Sequence, residues 1–233
     1  MKAATLATLR AARAEKVPVA LATHLKSGAE ALVWSDRSEG ALVLDEAALA
    51  AVHQAMRDDR GRTIDTADGQ VFVNVYNPPR RLIVVGAVHI AQPLVPMAAI
   101  GGFQVVVIDP RHGFATDARF PEVTLETDWP DEAMERLKPD VRTAVVTLTH
   151  DPKLDDPALT VALRSPAFYI GALGSRRTHA ARVGRLKELG FGDNEIGRID
   201  APIGLDIGAV SPAEIAISIL AGITKTLHAE PTR

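Results

Sequence analysis

Cysteine is absent from all 233 residues. Disulfides, thiolate metal sites, a cysteine nucleophile and a persulfide carried on this chain are thereby excluded, and a reducing cytoplasm is the compartment that matches. There is no basic excess either. The formal net charge is −3, whereas nucleic-acid binding as a main role needs a positive footprint. Met1 to Lys16 is basic in places but lacks the continuous apolar run of a secretory signal. The most apolar stretch, Ile215 to Ile223, is too short to span a bilayer and reads as a buried helix. Internal repeats, low-complexity tracts and heptad arrays are missing as well. The expectation is a cytoplasmic protein with no membrane and no nucleic acid as partner.

What is present is an ordinary globular composition, 47% apolar and 24% charged, in a chain long enough for two unequal domains. Residues 1–77 read as a small α+β domain. A short helix over Thr5 to Ala14 precedes strands at Val17 to Thr23, Ala29 to Ser35 and Gly40 to Leu44. Asp45 then opens a helix with Leu49, Val52 and Met56 on one face. Strands at Arg62 to Thr66 and Gln70 to Tyr76 flank Asp68-Gly69, a dipeptide suited to a tight hairpin. Asn77-Pro78-Pro79 cannot continue a strand and marks a linker.

Residues 78–233 change to alternating strands and helices. Strands are expected at Arg81 to Gly86, Gln104 to Asp109, Glu122 to Glu126, Thr143 to Thr149 and Phe168 to Gly174. Helices are expected at Ile90 to Ile100, Pro130 to Lys138, Pro157 to Arg164 and Arg176 to Leu189. Continuous apolar runs such as Leu82-Ile83-Val84-Val85 suit strands buried on both faces of a parallel sheet. Ser211, Pro212 and Glu214 form a complete capping box for a last helix reaching Leu227. The fold class is therefore α/β, a Rossmann-like C-terminal domain with a mostly parallel sheet behind a small α+β domain.

Four segments carry candidate chemistry. Gly86-Ala87-Val88-His89-Ile90-Ala91 has the place and spacing of the dinucleotide fingerprint, and Asp109 stands where an acid usually receives an adenosine ribose. Val88 replaces the middle glycine and crowds the path of a pyrophosphate, so the motif speaks for the fold and against NAD. Thr149-His150-Asp151 closes the fourth strand; in a 3-2-1-4-5 sheet it faces the same crevice as Gly86 and His89. Two histidines and two aspartates there suit metal binding or proton transfer, and the plainer reading is that His150 and Asp151 cap the following helix. Gly174-Ser175-Arg176-Arg177 opens a helix whose free N–H groups and arginine forks suit an anion. That helix continues with Arg182, Arg185 and Lys187 against a single Glu188, either a solvated face or a basic docking face for a partner. Gly204-Leu205-Asp206-Ile207-Gly208 precedes the last helix, and Asp206 either reaches a ligand or braces the turn.

The stretches RLIVVGAVHIAQPL, VVVIDPRHGFAT, RFPEV, TLTHDPKLDDPAL, FYIGALGSRRTHAARVGRL and APIGLDIGAVSPAEIAISILAGI, in this order across residues 81–223, resemble the XdhC/CoxI family. The resemblance implies an accessory factor for molybdenum hydroxylases of the xanthine dehydrogenase and carbon monoxide dehydrogenase type. Such a factor binds molybdenum cofactor (molybdopterin or its cytidine dinucleotide form), supports its maturation with a sulfurtransferase (a cysteine desulfurase) and inserts it into the apo hydroxylase. It also implies a homodimer, and a role as a chaperone rather than a catalyst. Carried onto this chain, the cofactor crevice consists of Gly86, His89, Asp109, His150, Asp151, Ser175, Arg176 and Arg177, with no catalytic residue and no resident metal. The family's N-terminal domain commonly carries a cysteine-containing segment; residues 1–77 have none. Two other functions fit the same fold: an NAD(P)-dependent oxidoreductase using the Rossmann crevice, and a regulatory nucleotide sensor acting through the basic helix.

Overall fold

The computed structural model describes residues 2–111 and 113–229. The chain falls into two compact units, Met1–Pro78 and Pro79–Arg233.

The first unit holds α1 (Ala3–Ala14), β1 (Val19–His24), β2 (Glu30–Val33), β3 (Ser38–Gly40), α2 (Glu46–Arg57), β4 (Arg62–Thr66) and β5 (Gly69–Tyr76). Its strands form one antiparallel sheet in the order β3-β2-β1-β5-β4. Because side chains alternate along a strand, Ala20 and Ala22 of β1 pack with Val52, Ala55 and Met56 of α2. Val19 and Leu21 pack on the other face with Leu9 and Ala12 of α1. Asp45 caps α2 by accepting a hydrogen bond from Ala48 N.

Two local expectations need correction. The third strand ends at Gly40 instead of beginning there. Gly40 has φ +148, and a Cβ on it would stand 2.3 Å from the Glu30 carbonyl oxygen, so only glycine permits this approach. Ala41 N and Leu42 N then both donate to that oxygen, and the chain leaves the sheet. In the hairpin, Thr66 pairs directly with Gly69. The turn residues are therefore Ala67-Asp68, and Gly69 is the first residue of β5.

The second unit contains β6 (Arg80–Val85), α3 (Ala91–Ile100), β7 (Phe103–Ile108), β8 (Thr124–Glu126), α4 (Pro130–Leu137), β9 (Thr143–Thr147), α5 (Pro152–Arg164), β10 (Tyr169–Ala172), α6 (Arg176–Glu188), α7 (Asp193–Ile196), β11 (Ile199–Asp200) and α8 (Pro212–Leu227). The sheet order is β11-β10-β9-β6-β7-β8, and every pairing is parallel. The chain starts at the central β6, runs outward to β8, then returns to β9 on the opposite side of β6. The switch point thus lies between β6 and β9. Leu82 and Val84 join α3 and α8 in one core cluster, while Ile83 and Val85 join α4, α5 and α6 in the other. The uninterrupted apolar run of β6 follows from this burial on both faces.

Helix α5 begins at Pro152, well before the expected Pro157. Pro152 occupies the first turn behind the cap Asp151, and Pro157 is accommodated inside the helix. The elements α7 and β11 were not anticipated from the sequence; four and two residues respectively leave no periodic pattern. The last helix runs from Pro212 to Leu227 with Ser211 and Glu214 in a reciprocal capping box, as its sequence predicts.

Candidate functional site

The C-terminal ends of β6, β7, β9 and β10 share one edge of the sheet. Gly86 follows β6 with φ +108, and a Cβ there would lie 2.5 Å from the Thr149 methyl group. The exits of β6 and β9 are consequently in contact across the switch point. Val88 is half-buried and packs against the core cluster under α3, so part of its bulk is turned inward. His89 is exposed.

Asp109 is fully buried, and its carboxylate closes the gap between β7 and β6. Oδ2 accepts from Ala87 N at 2.8 Å and Arg111 Nη2 at 2.6 Å; Oδ1 accepts from Arg111 N at 3.0 Å and Arg111 Nε at 2.8 Å. Burial pushes the Asp109 carboxyl up, but the hydrogen bonds from Arg111 and Ala87 outweigh it and hold the pKa below its ordinary 3.8. A depressed carboxyl contributes stability that is present above its unfolded pKa and lost as pH falls through the folded value. Urea titrations at neutral and acidic pH should therefore show Asp109→Asn losing less stability on acidification than the parent. An equal loss in both proteins would remove this assignment. Both oxygens of Asp109 are engaged, so the ribose-accepting role expected for it is filled by the protein's own donors.

On the other side of the switch point, His150 adopts φ +60, a left-handed conformation uncommon outside glycine. Its Nδ1 lies 3.7 Å from the place of a Cβ on Gly174, so it faces the turn between β10 and α6. Asp151 caps α5 by accepting from Lys153 N at 3.0 Å. Ser175 caps α6 by accepting from Thr178 N at 3.2 Å. Arg176 and Arg177 are exposed at the helix start, and neither is seen in a hydrogen bond or ion pair among the described residues. Gly86, Asp109, His150, Asp151, Ser175, Arg176 and Arg177 thus follow the ends of four neighbouring strands, β6, β7, β9 and β10, with Asp109 sealed beneath the surface, while His89 precedes α3 with no hydrogen bond to the others among the described residues.

Beneath these strand ends lies a buried network whose roles the sequence did not disclose. Thr149 Oγ1 donates to Asp155 Oδ1 at 2.6 Å. Asp155 Oδ2 pairs with Arg182 Nη2 at 3.5 Å, and the same nitrogen donates to Leu173 O at 3.0 Å. Side chains of Asp155 and Arg182 are each 2% exposed. Burial raises the Asp155 carboxyl above the usual range despite help from Thr149 and Arg182, and burial likewise lowers the Arg182 guanidinium. His179 is lowered by burial and by the charge of Arg182. Arg182 Nε and Nη1, together with His179 Nδ1, are buried without a hydrogen-bond partner among the described residues.

Neither reading of this helix, a solvated face or a basic docking face, describes Arg182. Arg182 is in the core, Arg185 grips Asp156 through Nε at 2.5 Å and Nη2 at 3.1 Å, and Lys187 pairs with Asp193 at 2.8 Å. The helix counted as unbalanced along the chain is balanced in space by acids from α5 and α7. Asp206 is exposed on a loop braced from within: Ser218 Oγ donates to Leu205 O at 2.6 Å, and Asp200 Oδ2 accepts from Tyr169 OH at 2.5 Å and Gly204 N at 3.1 Å. Among the described residues no group of three or more His, Asp or Glu side chains is arranged to hold a metal ion.

The profile of the XdhC Rossmann domain matches residues 82–223, the span that builds most of this sheet and carries the candidate residues. Three curated relatives are each 33% identical to the chain. The uncharacterized protein YqeB of Escherichia coli (strain K12) aligns over 163 residues, 69% of this chain and 30% of its own length. A probable xanthine dehydrogenase subunit of Bacillus subtilis (strain 168) aligns over 67% and 46%. The molybdenum cofactor insertion chaperone PaoD of Escherichia coli (strain K12) aligns over 66% and 43%. The alignments thus span less than half the length of these relatives. A crystal structure of a xanthine dehydrogenase from Bacillus halodurans superposes with a TM-score of 0.72 at 25% identity, over 96% of this chain and 66% of that one. With the profile covering more than half of its residues and the parallel sheet in place, the chain belongs to the XdhC Rossmann-domain family.

Proposed function

We propose that this chain is an accessory factor that binds molybdenum cofactor in the crevice at the C-terminal edge of the parallel sheet and supports its maturation and insertion into an apo molybdenum hydroxylase. The observation that carries the reading is the start of α6. A helix N-terminus there offers free N–H groups, and Arg176 and Arg177 extend from it with no ion pair among the described residues, beside the switch point where open α/β sheets bind ligands. Either form of the cargo, molybdopterin or its cytidine dinucleotide, carries phosphate that this end can hold. His150, whose left-handed backbone turns its Nδ1 towards the Gly174 turn, belongs to the same wall.

The chain has no thiol, so a sulfur atom for the cofactor comes from a partner cysteine desulfurase. Names carried by two of the relatives, one for part of a xanthine dehydrogenase and one for a cofactor insertion chaperone, support the apo hydroxylase as recipient. We further propose a cytoplasmic homodimer. An NAD-dependent oxidoreductase is disfavoured because a ribose diol needs the oxygens of Asp109, which Ala87 and Arg111 already occupy.

The test is the double substitution Arg176→Ala with Arg177→Ala. Hydrogen bonds to charged groups contribute about 1.5–3 kcal/mol each, so cofactor affinity should fall at least ~10-fold with the fold intact. Bound pterin is read by near-ultraviolet absorbance and molybdenum by metal analysis. A folded double variant that retains both at the parent's level would overturn the assignment.

A further inference from the structure

Asp109 and Arg111 sit two residues apart at the end of β7, and their geometry gives the crevice a chemical preference. An arginine side chain carries five N–H donors. Nε and one Nη2 hydrogen of Arg111 go to Asp109, which leaves three. This side-on pairing directs the other edge of the guanidinium, Nη1 with the outer Nη2 hydrogen, away from Asp109, and no acceptor takes it among the described residues. That edge is the fork that binds two oxygens of one phosphate.

The fork is also held in place. Asp109 is locked to Ala87 N, immediately after β6, so the guanidinium clamped on it lies towards the β6 exit. Asp151 and Asp155, from the β9 side, reinforce its charge after the dominant contribution of Asp109. On one face the guanidinium lies over the Phe114 ring at 4.1 Å. Arg119 approaches the same ring at 5.8 Å and donates to Phe114 O, which brings a second cation to that ring. The side chain of Arg111 stays 38% exposed, whereas that of Asp109 is sealed.

We propose that Arg111, clamped on Asp109 and stacked on Phe114, is a specificity-determining residue of this crevice, which binds a phosphate monoester where a dinucleotide site binds a ribose diol. Dinucleotide domains use the acid at the end of the second strand for ribose hydroxyls, and a nearby arginine where a phosphate replaces them. Here the acid is spent on positioning the arginine. Arg111 therefore stands at the opposite end of the crevice from Arg176 and Arg177, across β6 and β9, and the two ends together favour a ligand with anionic groups at both. This rests on the reading that the crevice is the ligand site, and it adds which group of the ligand lies at the β7 end.

The experiment is calorimetric titration of the full chain with 2′,5′-ADP and with 5′-AMP, probes that differ by the one phosphate in question and carry no pyrophosphate to meet Val88. The parent is expected to bind 2′,5′-ADP at least ~10-fold more tightly, one charge-assisted phosphate contact being enough for that ratio. Arg111→Met should abolish the difference and leave 5′-AMP unchanged or tighter, since Asp109 is then released. Because that variant leaves a buried carboxylate without its cation, Asp109→Asn with Arg111→Met provides a second variant without the charge while an amide oxygen still receives Ala87 N. Equal affinities in the parent, no binding of either probe, or a preference that survives in either folded variant would overturn the proposal. Pterin and molybdenum carried by the parent are a separate readout: their absence sinks the cofactor reading while leaving the phosphate preference to stand or fall by itself.

Discussion

Arg182→Met should cost about 3–5 kcal/mol of stability, because it leaves Asp155 as a buried acid without its cation. Substitution of an exposed helix arginine costs within roughly 0.5 kcal/mol, so the two environments are separated by a wide margin. The lower end of the range applies at acidic pH. The folded pKa of Asp155 is raised, so its favourable contribution is fully present below the unfolded value and is lost as pH rises through the folded one. Removing Arg182 raises that folded pKa further and steepens the loss towards neutral pH. Urea unfolding at two pH values measures both effects. Asp155→Asn with Arg182→Met should recover a large part of the loss, as neutral replacement of a buried pair often does. A single variant within about 1 kcal/mol of the parent at neutral pH would show that the pair does not form. The contact between the β6 and β9 exits depends on the same network, since Asp155 also holds Thr149 against the turn of Gly86.

Gly204→Ala is the second large effect, expected at about 2–5 kcal/mol. Its φ of +89 alone costs an alanine about 1–2 kcal/mol. A Cβ would also stand 2.5 Å from Ser218 Oγ and 2.8 Å from the Ile219 amide nitrogen. The second contact is with helix backbone, which cannot swing aside, so overpacking adds about 1–3 kcal/mol. Gly222 faces the same spot, with the Gly204 Cα 3.1 Å from where its own Cβ would be. The two glycines let the loop after β11 touch α8 directly. Gly208→Ala is the matched comparison: its φ is +72 but nothing lies within 4 Å of the added methyl. That variant should lose only the backbone cost, about 1–2 kcal/mol. Thermal unfolding of both separates the two contributions, and equal melting temperatures would refute the close contact.

The larger domain was legible because its signals are local and repeated. Two-sided burial of β6 writes itself as an apolar run, and a capping box needs only residues from Ser211 to Glu214. The switch-point positions of Gly86 and His150, and the place of Ser175 one strand further on, follow from strand order, which alternating elements and right-handed crossovers restrict to few choices. The premise of three unbalanced charges at Arg182, Arg185 and Lys187, shared by the solvated-face and docking-face readings, failed for the converse reason. Charge balance along one helix says nothing about Asp155, Asp156 and Asp193, which α5 and α7 bring against it. In the same way Asp109 reads as a ribose acceptor by position, and only folding reveals that Ala87 and Arg111 reach its oxygens first.

By itself, then, the sequence carried the family resemblance, and it determined the α/β class, the caps and the sheet edge where the candidate residues gather, since these last three depend on periodicity or on residues close in the chain. The tertiary structure alone decided which charges are free to meet a ligand. Arg176 and Arg177 have no ion pair among the described residues while Arg182 is buried against an acid 27 residues away, and such pairing is settled by packing between elements, which leaves no period in the sequence.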